Sequence, residues 1–272
     1  MNLTNKLIIN LVFIIVSAVI VIPVPGKKQK TTDYEIMGSR ANYLFKQGEL
    51  SDALSHYKVA FRLAAQYDNR TAQAKYLNNI GVTLFRLGLI EQAMNSMSKS
   101  LAIFNTIQNS SGKASCLANI CRIHLKLSNH QEFNNTFEEA AKLADENKIK
   151  EVKGILTTLR ARAALAKGSN DKVLESCNEA ENIFKKQKNN RGLASCLVLR
   201  ARYLLKTDRG EEAIGQAQKA LVLSREISDK YYILGSLKML ADIYKKLNNQ
   251  EKLEDIENRL APLYAATGIS PE

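Results

Sequence analysis

Small and apolar residues recur along this chain at a fixed spacing of 40 residues. One series, whose members are all small, comprises Ala41, Gly81, Cys121, Ala161, Ala201 and Ala241. A second series lies 19 positions further on in each unit and comprises Ala60, Ser100, Ala140, Ala180, Ala220 and Leu260. Small residues at matching places let two antiparallel helices approach closely, and one helix pair cannot bury its apolar face alone. The pattern therefore predicts about six helix pairs stacked on one another.

Residues that tolerate a left-handed backbone conformation recur between the two helices of each predicted pair. They are Gly48, Gly88, Ser128, Gly168, Asp208 and Asn248. Proline costs about 3 kcal/mol inside a helix, and it is absent between Gly26 and Ala261. The prolines of the chain all lie outside that interval, at Pro23, Pro25, Pro262 and Pro271. The pattern therefore predicts an all-α body.

The stretch from Ala41 to Ala60, ANYLFKQGELSDALSHYKVA, resembles the tetratricopeptide repeat (TPR), and the stretch from Gly81 to Ala93 does so nearly as well. The resemblance covers about residues 34–264, with units starting near 34, 74, 114, 154, 194 and 234. It implies an all-α TPR solenoid of about six antiparallel helix pairs in a right-handed superhelix. It also implies that the first helix of each pair lines the concave surface. The sixth unit matches the family pattern poorly, as expected of a terminal cap.

An apolar segment precedes the repeats. Residues 7–24 are 18 consecutive uncharged, mostly aliphatic positions, which reach about 27 Å as a helix. An uncleaved transmembrane anchor is favoured, and a cleaved signal peptide remains the alternative. The predicted organisation is an N-terminal flank (1–6), an anchor or signal segment (7–25), a basic linker (26–33), the repeat domain (34–264) and a C-terminal tail (265–272).

Charges beside this segment suggest an orientation. Lys27, Lys28 and Lys30 follow it and only Lys6 precedes it, so the positive-inside rule places the repeat domain in the cytoplasm. The cysteines, Cys116, Cys121, Cys177 and Cys196, show no metal-ligand spacing and are interpreted as small core residues. Free thiols also favour a reducing compartment. We therefore expect a single-pass membrane protein with a cytoplasmic repeat domain, or a secreted or periplasmic protein if the segment is cleaved.

The net charge of +12 would suit nucleic acid, an anionic membrane or an acidic protein. Four of the 39 basic residues, and none of the 27 acidic ones, lie in residues 1–30. Most of the excess therefore belongs to the repeats, where it is spread over many units. No aromatic stacking platform accompanies it, which argues against nucleic acid as a partner.

No pattern of catalytic residues emerges from the sequence. Phosphate-binding glycine motifs, HExxH and GxSxG are all absent. His124 occupies a position equivalent to Leu44, Leu84 and Leu204, so we interpret it as a packed core histidine. The sequence therefore argues against an enzyme, and it predicts no catalytic residues, metal site or cofactor.

Arginine recurs at one position of the predicted first helices. Arg122, Arg162 and Arg202 each follow the small residue of the first series. Basic residues four positions later share the same helix face, and asparagines lie on the same side. The candidate groove residues are Asn42, Lys46, Asn79, Arg86, Asn119, Arg122, Lys126, Arg162, Arg202 and Lys206.

These features lead to a specific expectation of function. We expect a non-enzymatic, membrane-tethered scaffold that binds an extended, acidic protein segment in the groove. Arginine favours such a partner because it makes planar, bidentate contacts to carboxylates. The basic residues also have two explanations that involve no ligand. Lysine is common at these positions in this family, and the Arg-Ala-Arg runs that contain Arg160 and Arg200 suggest that local duplication copied the arginines. A structural or self-assembling repeat protein is the alternative, and a basic nucleic-acid-binding regulator is less favoured.

Overall fold

A computed structural model describes residues 33–269. This part of the chain contains twelve helices and no strand. They are α1 (Asp33–Lys46), α2 (Leu50–Gln66), α3 (Arg70–Arg86), α4 (Ile90–Thr106), α5 (Ser110–Lys126), α6 (His130–Glu146), α7 (Lys150–Ala166), α8 (Asn170–Lys186), α9 (Asn190–Lys206), α10 (Gly210–Glu226), α11 (Lys230–Lys246) and α12 (Gln250–Thr267). The predicted all-α architecture of about six helix pairs is confirmed.

The turns between helices share one backbone conformation. All six predicted turn positions have a positive φ, from 53° at Asn248 to 79° at Gly88. The next amide donates to a carbonyl five residues earlier, as in Leu89 N to Leu84 O at 2.9 Å, which closes the end of the preceding helix. The turns between pairs use the same conformation at Asp68, Gln108, Lys148, Lys188 and Ser228. Gln108, Lys148 and Lys188 are not typical turn residues, so the sequence does not mark this second series of turns consistently.

Side chains at the start of most first helices cap them. The Oδ1 atoms of Asn69, Asn109 and Asn189 accept hydrogen bonds from backbone amides at 2.9, 2.8 and 2.9 Å. Asp229 caps α11 in the same way, through the Tyr231 amide at 3.2 Å. Such caps satisfy amides that the helix itself leaves unpaired. The caps lie 40 or 80 residues apart, because Ile149 interrupts the series, and they were not predicted from the sequence.

The small residues lie where helices approach most closely. Ala41, Cys121, Ala161 and Ala201 are fully buried. A Cβ atom at Gly81 would lie 2.6 Å from Met97 Cγ, so that position has no room for a side chain. Each helix packs on its neighbours in the chain, and α3, α5, α7, α9 and α11 also contact one another in succession. These helices, together with α1, form what we call the inner surface.

The four cysteines belong to this packing, as the sequence predicted. All are buried and none forms a disulfide within the described chain. Burial raises the pKa of Cys116 and Cys196 to about 11, and that of Cys121 and Cys177 to about 12. The thiolate is the reactive form of cysteine, so these thiols are inert core groups at neutral pH.

The lengths and charges of the helices contradict the expected localisation as a single-pass membrane protein. Over residues 33–269, none is long and apolar enough to cross a bilayer. The longest, α12, has 18 residues but carries six charged side chains between Glu251 and Arg259. The segment predicted to be an anchor or signal, residues 7–25, lies outside the described residues. The prediction of a single-pass membrane protein is therefore wrong for the part of the chain that the structure describes.

One packed position carries a titratable ring. His124 is partly buried in α5, and its Nδ1 atom is buried without a hydrogen-bond partner within the described chain. Burial lowers the pKa of His124, and the charge of Glu132 opposes that shift. The folded chain therefore binds this proton less readily than the unfolded chain does. The free energy of unfolding should fall as the pH drops below about 6.5.

We expect His124→Leu to flatten this pH dependence, because leucine fills the equivalent places at Leu44, Leu84 and Leu204. The variant should gain stability relative to the parent between pH 7 and pH 5, by at most about 1.4 kcal/mol per pH unit. Urea unfolding at several pH values measures the difference. His130→Gln, at an exposed histidine, is the control and should change little. Parallel curves for the parent and His124→Leu would contradict the assignment.

Candidate functional site

The predicted arginine row lies on the inner surface. Arg122, Arg162 and Arg202 occupy the same place in α5, α7 and α9, directly after a buried small residue. Arg122 is partly buried, and the other two side chains are exposed. Within the described chain, none of the three forms an ion pair with a carboxylate. The row is therefore a line of guanidinium groups that form no salt bridge within the described chain.

Arg122 takes part in a short amide network. Its NH1 atom donates to Asn119 Oδ1 at 3.2 Å. The Nδ2 atom of Asn119 donates in turn to Asn78 Oδ1 at 3.1 Å, which links α5 to α3. Burial lowers the pKa of Arg122, Tyr232 and Tyr231 oppose that shift, and the charges of Arg162 and Arg191 add to it. A neutral amide oxygen is thus the acceptor where a carboxylate would stabilise the charge better.

The other two arginines are still less engaged. Arg162 NH2 donates to Ser195 Oγ at a long 3.4 Å. The Arg202 side chain is exposed, but the protein around it removes part of its hydration, and this desolvation lowers its pKa. The charge of Arg162 lowers that pKa further, and the charge of Asp242 opposes the shift. Arg162 thus repels its counterparts on both adjacent first helices.

The neighbouring arginines behave differently. Arg160 forms an ion pair with Glu179, and its Nε atom donates to Ser176 Oγ at 3.2 Å. Arg200 NH2 donates to Glu181 Oε2 at 2.6 Å. Both carboxylates lie on α8, so these arginines hold helices together. Duplication of an Arg-Ala-Arg segment therefore does not make the two arginines of each segment equivalent.

A second arginine cluster connects the beginning of the repeat array to its end. The guanidinium group of Arg86, at the end of α3, lies 3.8 Å from the centre of the Phe45 ring and 3.9 Å from that of Tyr231. Its side chain is only 8% exposed. Phe45 belongs to the first helix pair, Arg86 to the second and Tyr231 to the sixth. The stacked groups therefore bring opposite ends of the array together.

Asp229 completes this cluster. Its side chain is fully buried, with Oδ2 3.0 Å from Arg191 NH2 and Oδ1 3.9 Å from Arg86 NH1. We call Phe45, Arg86, Arg191, Asp229 and Tyr231 the closure contact.

A second contact joins the same ends of the array. A Cβ atom at Gly48, in the first turn, would lie 2.4 Å from Thr267 Cγ2 at the end of α12. The first and last helix pairs therefore touch at this point as well.

The remaining predicted residues are placed as follows. Asn42 accepts a hydrogen bond from Tyr57 Oη at 2.6 Å. Lys46 lines a pocket where the first helix pair approaches the fourth and fifth pairs. Lys126 and Lys206 are exposed. Asn79 is partly buried, and its neighbour Asn78 makes the bond to Asn119.

Three residues of this region were not predicted from the sequence. Asn78, Arg191 and Asp229 could have been noticed only through the recurring caps or as polar neighbours of predicted residues. Their partners lie many helices away, and a repeat period indicates only which units are adjacent.

Comparisons with known proteins agree with this architecture. The family model described as tetratricopeptide repeat matches residues 34–106. The chain is similar to the structure of a Rap protein complexed with Competence and Sporulation Factor, with 15% identity and a TM-score of 0.63, over 86% of this chain and 75% of that one. No curated protein sequence matches the chain.

Two further solved structures share the fold. One is the Rap conjugation gene regulator of the plasmid pLS20 in complex with the Phr* peptide, with 15% identity and a TM-score of 0.67, over 86% of this chain and 73% of that one. The other is BtubC (BKLC) from P. vanneervenii, with 13% identity and a TM-score of 0.54, over 89% and 94%. At such identities the likeness concerns the fold alone.

The closure contact can be tested by a double-mutant cycle. We expect Arg86→Met and Tyr231→Leu to show a coupling energy of about 1–2 kcal/mol in urea unfolding, because the cation loses one of the two rings it stacks on. Arg40→Met combined with Tyr231→Leu is the matched control, since Arg40 stacks on Tyr43 instead. That control pair should be additive within about 0.5 kcal/mol. A coupling no larger than the control value would refute the contact.

Proposed function

We propose that this chain, which folds as a tetratricopeptide-repeat solenoid, is a non-enzymatic scaffold that binds an extended, acidic segment of a partner protein along its inner surface. The observation that carries the proposal is the row of Arg122, Arg162 and Arg202, which has no carboxylate partner within the described chain. A likeness in fold adds support, because the pLS20 regulator is in complex with the Phr* peptide. The fold itself typically serves interaction rather than catalysis.

An acidic segment suits this row for electrostatic reasons. Burial is the main cause of the lowered pKa values of Arg122 and Arg202, and the charge of Arg162 between them lowers both further. A carboxylate between two of these arginines would relieve the repulsion between them and accept charge-assisted hydrogen bonds. Each such pair should contribute about 1–3 kcal/mol where it is desolvated, and only about 0–1 kcal/mol where it stays exposed.

Asparagine could hold the backbone of the same segment. Asn79 lies next to the Asn78–Asn119 hydrogen bond and makes no side-chain hydrogen bond within the described chain. A free side-chain amide can donate to a ligand carbonyl and accept from a ligand amide at once. Asn79 is therefore suited to an extended backbone, whereas Asn119 is already used by Arg122 and Asn78.

The closure contact reduces the cost of binding. It joins the second helix pair to the sixth through Arg86 and Asp229, so the inner surface is held in one curvature before a ligand arrives. Ordering flexible groups during association costs free energy, and a preorganised surface avoids part of that cost. The scaffold would thus supply a rigid row of cations, and the partner segment would adapt to it.

We expect the triple variant Arg122→Gln, Arg162→Gln, Arg202→Gln to weaken binding of a fluorescein-labelled, glutamate-rich peptide by at least about 30-fold, or about 2 kcal/mol. Fluorescence polarisation at fixed ionic strength measures the change. Helicity should stay unchanged, because none of the three side chains forms an ion pair in the described fold.

The matched control removes the same charge elsewhere. Lys58→Gln, Lys99→Gln, Lys219→Gln alters three exposed lysines on second helices and should reduce affinity by less than about threefold. Equal losses in the two triple variants would mean that net charge, and not the inner row, attracts the peptide. Tighter binding of single-stranded DNA than of the peptide would favour the nucleic-acid alternative.

A further inference from the structure

A polar pocket lies where the two ends of the array come together. It has a volume of about 480 Å³ and is lined by Lys46, Glu151, Gln187, Lys188, Asn189, Asn190, Arg191 and Ile227. Lys46 ends α1 in the first pair, whereas the other residues come from the fourth and fifth pairs and the turns that follow them. The pocket therefore exists only because the array closes. It is separate from the row of arginines to which the proposed function is assigned.

The charges in this pocket are unbalanced. Lys46, Lys188 and Arg191 contribute three cations, and Glu151 is the single carboxylate among the lining residues. Within the described chain, neither Lys46 nor Lys188 forms an ion pair, and Arg191 shares its charge only with Asp229. The lining thus carries a positive excess, because Lys46 and Lys188 have no ion-pair partner in the described chain.

Hydrogen-bond donors are also in excess. The Nε2 atom of Gln187 and the Nε atom of Arg191 are buried without an acceptor within the described chain. The amides of Asn190 and Arg191 belong to the first turn of α9, where a helix provides no acceptors of its own. A ligand for this pocket should therefore bring several acceptor oxygens and negative charge.

A phosphate group fits these requirements better than a carboxylate does. It carries close to two negative charges at neutral pH and three strong acceptor oxygens, which correspond to the three cations of Lys46, Lys188 and Arg191. The volume of 480 Å³ lies within the usual range for small-molecule sites, so it exceeds the needs of a bare ion. The carboxylate of Glu151 would repel further phosphates but can accept hydrogen bonds from hydroxyl groups.

We propose that this pocket binds a small phosphorylated molecule that also carries hydroxyl groups, such as a sugar phosphate. The ligand would place its phosphate between Lys46 on one side and Lys188 and Arg191 on the other. It would thereby connect the first helix pair to the fourth and fifth pairs. Binding should stabilise the closed array, because a ligand that binds only the folded form raises its stability by mass action.

The test uses the full chain with glucose 6-phosphate as the probe and sulfate and glucose as reference ligands, at constant ionic strength. Isothermal titration calorimetry should show one site for glucose 6-phosphate, and thermal unfolding should shift upward with its concentration. Sulfate should bind at least about tenfold more weakly, and glucose should not bind measurably. Equal binding of sulfate and glucose 6-phosphate would mean an adventitious anion site only and would overturn the proposal.

Two substitutions of opposite sign make the test specific. Lys46→Gln should weaken glucose 6-phosphate by at least about tenfold, whereas Glu151→Gln should leave or tighten its binding by removing a negative charge. Lys126→Gln and Lys206→Gln are matched controls, because these exposed lysines hold the same repeat position in other units. An equal loss in Lys46→Gln and either control would contradict the pocket.

Failure of this proposal can be told apart from failure of the proposed function. The triple variant at Arg122, Arg162 and Arg202 should keep its affinity for glucose 6-phosphate, since none of the three lines the pocket. Lys188→Gln, at a pocket lysine outside the candidate groove residues, should in turn weaken glucose 6-phosphate and keep its affinity for the glutamate-rich peptide. Loss of both ligands in both variants would overturn the assignment of two separate sites.

Discussion

The close approach of antiparallel helices at small residues is the constraint on which this structure depends. At Gly81 even a methyl group would meet Met97 Cγ at 2.6 Å, and Ala41, Ala161 and Ala201 at equivalent places are fully buried. Because every unit repeats this approach, every unit turns the array by a similar amount. Six units bring the first and last pairs together. The inner surface and the pocket at the closed edge both follow from that accumulated curvature.

The sequence predicted what neighbouring units do to each other and little of what distant units do. The small series, the turns from Gly48 to Asn248 and the buried cysteines all reflect local packing, which a fixed period reveals. The caps at Asn69, Asn109 and Asn189 were equally visible and were overlooked. The stacking of Arg86 on Tyr231 could not be predicted from the sequence, because a repeat period does not tell how many units bring the superhelix back on itself. The pocket beside Lys46 depends on that same number.

Two arginines only two residues apart illustrate how position on a helix decides the role of a charge. Residues at i and i+2 point to different sides of a helix. Arg200 therefore reaches Glu181 on α8, while Arg202 lies on the inner surface near Arg162. Arg200 therefore joins two helices, whereas Arg202 points away from the helix–helix contacts and into the space along the inner surface. Composition counts both as part of the same basic excess, but their contributions to folding and to binding differ.

The fold does not require arginine in the inner row, and this supports assigning the row to binding. The equivalent position holds Asn42 in the first pair, Val82 in the second and Asp242 in the sixth. The packing thus accepts a neutral amide, an apolar side chain or a carboxylate at the same place. A partly buried guanidinium without a carboxylate costs free energy, since desolvation penalises the charge. Arg122 carries that cost, whereas the valine of the preceding unit avoids it. The fold can thus replace this residue type, and the acidic segment that we propose as partner would supply the negative charge that the surrounding helices lack.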